Sequence, residues 1–178
     1  MVNPVTGERF VWRHTAASTG GEFVECDFFL DPGAVVAAPH VHPRQREDFR
    51  VEAGTIQLRV GRRKYTLTAG DERSVEANTV HTWRNAGAGT AHVVVRLTPA
   101  MRSEDFFETF CGLARDGKVN KRGLPSSPLQ LAVLAHEFRD ELALPPPARY
   151  VMRPVMALLA RLGARRGVRS RYPEYALD

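Results

Sequence analysis

At 178 residues, 43% of them hydrophobic, the chain suffices for one sizeable core and falls short of two ordinary domains. It has no run of about 18 apolar residues, and MVNPVTGERF lacks a basic stretch leading into a hydrophobic one; a cytoplasmic protein with no stable membrane insertion is therefore expected. Cys26 and Cys111 stand in no zinc-knuckle or disulfide pattern, and the formal charge of +5 is spread over a mixed surface until the last thirty residues, so no nucleic-acid partner is expected.

Up to about residue 100, short β-type runs alternate with turn residues, as in an all-β sandwich or barrel. In chain order they are ERFVWR, EFVECDFFL, GAVVAAPHVH, EDFRVE, GTIQLRVG, KYTLT, RSVEA, TVHTWRN and AHVVVRL. Asp31-Pro32-Gly33, Gly61, Ala69-Gly70-Asp71 and residues 85–89 supply the turns between them. In EFVECDFFL the period of two places Val24, Cys26, Phe28 and Leu30 on one face, the expected inward one.

Beyond Pro99 the apolar period changes from two to about 3.6. Ser103 is expected to cap a first helix that ends at Gly117 and turns Phe106, Phe107, Phe110 and Leu113 to one face. Pro128 suits the first turn of a second helix through Leu142, and a third is expected from about Ala148 to Leu162, kinked at Pro154, before an irregular tail. Residues 148–171 carry seven Arg and no acid, interleaved with Val151, Val155, Leu158 and Leu162. A basic amphipathic helix of this kind either lies on an anionic membrane surface or docks its apolar face on the barrel or a second subunit; docking is the reading adopted.

The chemistry concentrates in PHVHPRQREDFRVEAG and at the start of HTWRN. His40 and His42 are two apart and share a strand face; Glu47 follows a turn and can open the next strand, and His81 opens another. Three imidazoles and one carboxylate make a borderline-hard set suited to a divalent first-row metal with open positions. Phe49 and Val51 share the face of Glu47, and Trp83 that of His81; with Cys26 and Phe28 they either wall an apolar substrate pocket or fill the core. Arg96 either points inward to bind a substrate carboxylate or sits solvated on the surface. His14, His92 and His136 have no spacing partner, and structural or surface roles are expected for them.

Gly33 to Gly54, with His40-x-His42 and Glu47 between, and Gly70 to Asn85, with His81 between, resemble the paired motifs of the cupin superfamily. The resemblance covers roughly residues 33 to 98 and implies a double-stranded β-helix, or jelly-roll, barrel over residues 1–100. Residues 101–178 would form a helical extension packed on that barrel and not an independent domain. It also implies that His40, His42, Glu47 and His81 bind a divalent metal (Fe, Mn, Ni, Co, Cu or Zn) and that the chain forms a homodimer. Three departures are visible: one extra residue between the first glycine and His40, Glu76 where proline is usual, and Asn78 where glycine is usual. A bulge would absorb the first, and Asn tolerates the left-handed conformation that the last requires.

The function expected is that of a metal-dependent small-molecule enzyme of dioxygenase-like type, acting on an apolar or aromatic substrate, with Glu47 as a ligand and a possible base. The alternatives are a non-redox isomerase, cyclase or lyase, and a non-catalytic small-molecule-binding module.

Overall fold

A computed structural model describes residues 1–175. Ten strands precede three helices: β1 (Val2–Asn3), β2 (Glu8–His14), β3 (Val24–Leu30), β4 (Val35–His40), β5 (Arg46–Ala53), β6 (Thr55–Val60), β7 (Arg63–Thr68), β8 (Glu72–Val75), β9 (His81–Asn85), β10 (Ala91–Thr98), α1 (Ser103–Arg115), α2 (Pro128–Glu137) and α3 (Ala148–Arg165). The strands form two antiparallel sheets ordered β1-β2-β3-β10-β5-β8 and β4-β9-β6-β7, which make a jelly-roll core followed by C-terminal helices.

Alternation along the strands fills the space between the sheets. Cys26, Phe28, Leu30, Phe49, Val51, Ile56, Leu58, Trp83, Val93 and Val95 are all buried there. Trp83 meets Phe28 and Phe49 edge-on at 5.6 and 5.3 Å between ring centroids, the arrangement aromatic quadrupoles favour. Gly54 is fixed by two constraints at once: its φ is +82°, and a Cβ there would lie 2.9 Å from the Ala91 Cα.

Helix α1 joins two cores. Phe107 turns to the barrel against Phe10, Trp12 and Phe28, whereas Phe106, Phe110 and Leu113 pack with Leu134, Phe138 and Tyr175. Ser103 does not cap this helix as expected: the cap position is Arg102, with no side-chain hydrogen bond. The buried Ser103 hydroxyl instead donates to the Ala100 carbonyl and accepts from the Gln45 amide, which also reaches the Pro99 and Ala100 carbonyls. Burial makes the hydroxyl more useful as a junction than as a cap.

Ser127 accepts from the Gln130 N–H at the start of α2, with Pro128 in the first turn. The helix ends at Glu137 rather than Leu142, because the chain turns at the buried Phe138 and Ala143 then exchanges two backbone hydrogen bonds with Val41. A turn at Pro173–Tyr175 replaces part of the irregular tail; Tyr175 lies over Gly112, where any Cβ would sit 2.0 Å from the ring.

Helix α3 departs most from expectation. Its docked face, with Ala160 and Gly163 buried, lies against α2: a Cβ on Gly163 would come within 2.8 Å of Val133 Cγ2. Val151, Val155, Leu158 and Leu162, the stripe expected to dock, remain exposed. Small residues allow the closer approach of the two helix backbones, so they take the contact and leave the larger aliphatics outside.

Candidate metal centre

His40 ends β4, His81 opens β9, and the two are cross-strand partners; Glu47 lies near the start of β5 and His42 just beyond β4. Between Val36, paired with Trp83, and His40, paired with His81, β4 gains two residues on β9. This bulge absorbs the extra residue before His40 and brings both histidines to one end of the barrel. Asn78, in the turn before His81, has φ of 62°, the left-handed conformation its side chain tolerates, and its N–H donates to the His42 carbonyl.

The four side chains His40, His42, Glu47 and His81 are buried, and each offers one ligand atom within 4.8 Å of the others. Each histidine also has its Nδ1 on a backbone carbonyl: His40 on Ala38 at 2.9 Å, His42 on Glu141 at 2.5 Å and His81 on Thr79 at 2.9 Å. A carbonyl only accepts, so Nδ1 carries the hydrogen, and in the neutral ring the lone pair is on Nε2. Such outer hydrogen bonds are what orient metal-binding histidines.

The inner atoms are left over. His81 Nε2 lies 2.6 Å and His42 Nε2 3.5 Å from Glu47 Oε2, yet Glu47 Oε2 and His81 Nε2 are buried with no hydrogen-bond partner. Orphaned buried groups of this kind are costly. A divalent ion would satisfy them, and donors opposite one another on such an ion stand about 4 Å apart. The set therefore fits a first-row divalent metal.

Electrostatics favour ligation at His40 and Glu47. Burial, with His81 and His42 beside it, lowers the His40 pKa to about 3, which keeps that imidazole neutral and able to ligate. Burial alone would raise the Glu47 carboxyl, but the adjacent His42 and His81 outweigh it and hold the group below the usual carboxylate range. For His81, burial lowers the pKa and the adjacent Glu47 more than restores it, so the net shift is upward.

Of the remaining candidates, Cys26, Phe28, Phe49, Val51 and Trp83 do face the barrel interior; Phe49 and Trp83 lie two residues past Glu47 and His81 on the same strands. They pack against one another. Arg96 does not join them: β10 turns Ala91, Val93, Val95 and Leu97 inward, so Arg96 faces outward, bonded to its cross-strand neighbour Glu25 at 2.8 Å and lying over Phe23. The alternation around Arg96 carried that information. Outside the cluster, His92 sits on the outer face, paired with Asp27 and stacked on Phe29.

Three contributors carry no signal in sequence. Glu141 acts through its carbonyl, 99 residues from His42; Gln45 ties the loop between the ligands to the barrel–helix junction; and Arg149 donates to Asn78 Oδ1 at 2.6 Å from the first turn of α3.

A jelly-roll barrel with three histidines and a glutamate converging at one end defines a cupin-type site. Residues 27–96, which include all four donors, match the family model described as Cupin domain. Similar solved structures include KdgF from Halomonas sp., 20% identical, with 58% of this chain and 88% of that one covered at a TM-score of 0.51. A sugar phosphate isomerase of the cupin superfamily from Silicibacter pomeroyi is 23% identical, with 54% and 62% covered and a TM-score of 0.48. The cupin domain of an XRE family transcriptional regulator from Enterobacter cloacae is 17% identical, with 52% and 96% covered and a TM-score of 0.46. At these identities the likeness is one of fold. Comparison with curated proteins finds no match.

Proposed function

We propose that this chain is a metal-dependent small-molecule enzyme of dioxygenase-like type, with His40, His42, Glu47 and His81 as the ligands. The observation that carries the reading is the outward anchoring of all three histidines by Nδ1, which turns their Nε2 atoms onto Glu47 and leaves buried donors unpartnered. A bound divalent metal would supply Lewis acidity and, for a redox-active ion, dioxygen chemistry.

The protein's own part is to hold three imidazoles with Nε2 turned inward and an ionised carboxylate in a site from which Phe28, Phe49 and Trp83 exclude water. That apolar wall supports an apolar or aromatic substrate. Glu47, kept ionised, is also placed to take a proton from a substrate carbon or hydroxyl. Residues 101–178 are read as an extension fitted to the barrel, supported by the Gln45 junction, the Val41–Ala143 pairing and the Glu141 carbonyl on His42. Homodimerisation through a barrel edge belongs to the same proposal, since unpaired edges favour coverage.

Elemental analysis of purified protein tests the site: near-stoichiometric metal, lost in His40→Ala and His81→Ala, is expected, and wild type that binds none of Fe, Mn, Co, Ni, Cu or Zn on reconstitution overturns it. Oxygen uptake with phenolic and diketone substrates then separates the oxygenase reading from a non-redox lyase or isomerase, which would turn over substrate without consuming oxygen.

A further inference from the structure

Helix α3 presents two faces, and only one is used. Ala160 and Gly163 are buried against α2, whereas Val151 and Leu158 are each 68% exposed, and Val155 and Leu162 are exposed with them. The four recur at intervals of four, three and four residues, which places them in one row along the helix. The row is bordered by arginine: Arg161 lies three residues past Leu158, and Arg165 and Arg166 follow Leu162 by three and four. Tyr150, 58% exposed, stands beside its start.

The charge of the protein is segregated onto this element. Residues 148–171 hold seven of the 25 Lys and Arg and none of the 20 Asp and Glu, so the rest of the chain is net acidic. Among the described residues, Arg153, Arg161, Arg165 and Arg166 form no ion pair, whereas Arg169 and Arg171 pair with Glu174 and Asp105. A second copy seated on the row in a symmetric contact would bring these arginines against their own equivalents, with no acid to pair them. An anionic lipid surface offers both complements at once: hydrocarbon for the aliphatic row and phosphates for its borders. No helix among the described residues is long and apolar enough to cross a membrane, so the contact is a surface one.

We propose that the outer face of α3 binds an anionic membrane surface, with Val151, Val155, Leu158 and Leu162 in the headgroup–acyl boundary and Arg161, Arg165 and Arg166 on the lipid phosphates. The bond from Arg149 to Asn78 ties the first turn of this helix to the loop that precedes His81.

Sedimentation of the full-length protein with vesicles tests this directly. Phosphatidylcholine vesicles containing phosphatidylglycerol are expected to carry the protein down, and pure phosphatidylcholine vesicles to leave it in solution. Raising salt from about 0.1 to about 1 M should release it, because the screening length falls to about 3 Å. Leu158→Glu should abolish binding, and Arg161→Ala with Arg165→Ala should weaken it about fivefold per arginine; circular dichroism and gel filtration should match wild type in each case, since these side chains are exposed. Equal binding to neutral vesicles, no binding to anionic ones, or undiminished binding by Leu158→Glu would overturn the proposal. So would a wild-type dimer that Leu158→Glu converts to monomer, which would assign the row to a second copy.

Discussion

At the mouth of the barrel, four ionisable side chains are buried with two of their polar atoms unpartnered, whereas along α3 four aliphatic side chains stand in water beside arginines that form no ion pair among the described residues. Each region reverses the usual partition of polar and apolar groups. The reversals differ in what holds them in place. The barrel cluster is fixed by strand register and by carbonyls on Nδ1, so its geometry is preformed. The α3 row is merely left over once Ala160 and Gly163 have taken the contact with α2. A buried polar cluster points to a small, charged guest; an exposed apolar row points to a large surface.

The widest separation between the two regions should come from Glu47→Ala, which is expected to reduce metal content from near-stoichiometric to background by elemental analysis while leaving vesicle binding unchanged. Next in size, Trp83→Ala should cost about 3–5 kcal/mol through the cavity left against Phe28 and Phe49. Differential scanning calorimetry should show a Tm lowered by roughly 10 °C, whereas Leu158→Glu leaves it within about 2 °C; similar losses from both would erase the contrast.

Ala143→Pro removes the N–H that bonds the Val41 carbonyl and displaces the segment that presents the Glu141 carbonyl to His42. A roughly 10- to 100-fold loss of metal affinity by competition with a chelator is expected, the range typical of outer-shell changes. Unchanged affinity would show that the extension only covers the site.

Glu8 gives a smaller effect with a defined sign. It is a buried carboxyl outside the cluster, and burial raises its pKa against the weaker opposing pull of Thr6. The folded form therefore binds the proton more tightly than the unfolded chain, and stability falls as pH rises through the unfolded value toward the folded one. Glu8→Gln should raise Tm at pH 7, and the gain should vanish by about pH 4, where both states are protonated. Smallest of all on activity, Arg96→Ala should leave substrate turnover intact, which a pocket residue would not; because Glu25 is buried beside it, a lowered Tm from the unpaired carboxylate is expected with it.

Much of this was legible in the residues. Alternation in VECDFFL predicts the buried face of β3, the change of period after Pro99 predicts helices, and the spacing of His40, His42, Glu47 and His81 predicts a cluster. The same alternation already disfavoured an inward Arg96. Other features left no trace. Ser127 and Ser103 both precede or open helices, yet only Ser127 caps, because Ser103 is buried against Gln45. The length of α2 depended on Val41, far earlier in the chain, offering Ala143 a backbone partner.

The sequence by itself determined the barrel, the residues that cluster at its end and the amphipathic character of α3, because period and residue chemistry are local properties. Only the tertiary structure decided which face of α3 is covered and which carbonyl holds His42. Those outcomes depend on close approach between segments distant in sequence: small residues at Ala160 and Gly163 winning a helix contact, and a backbone carbonyl, identical in every residue, arriving 99 positions away at Glu141.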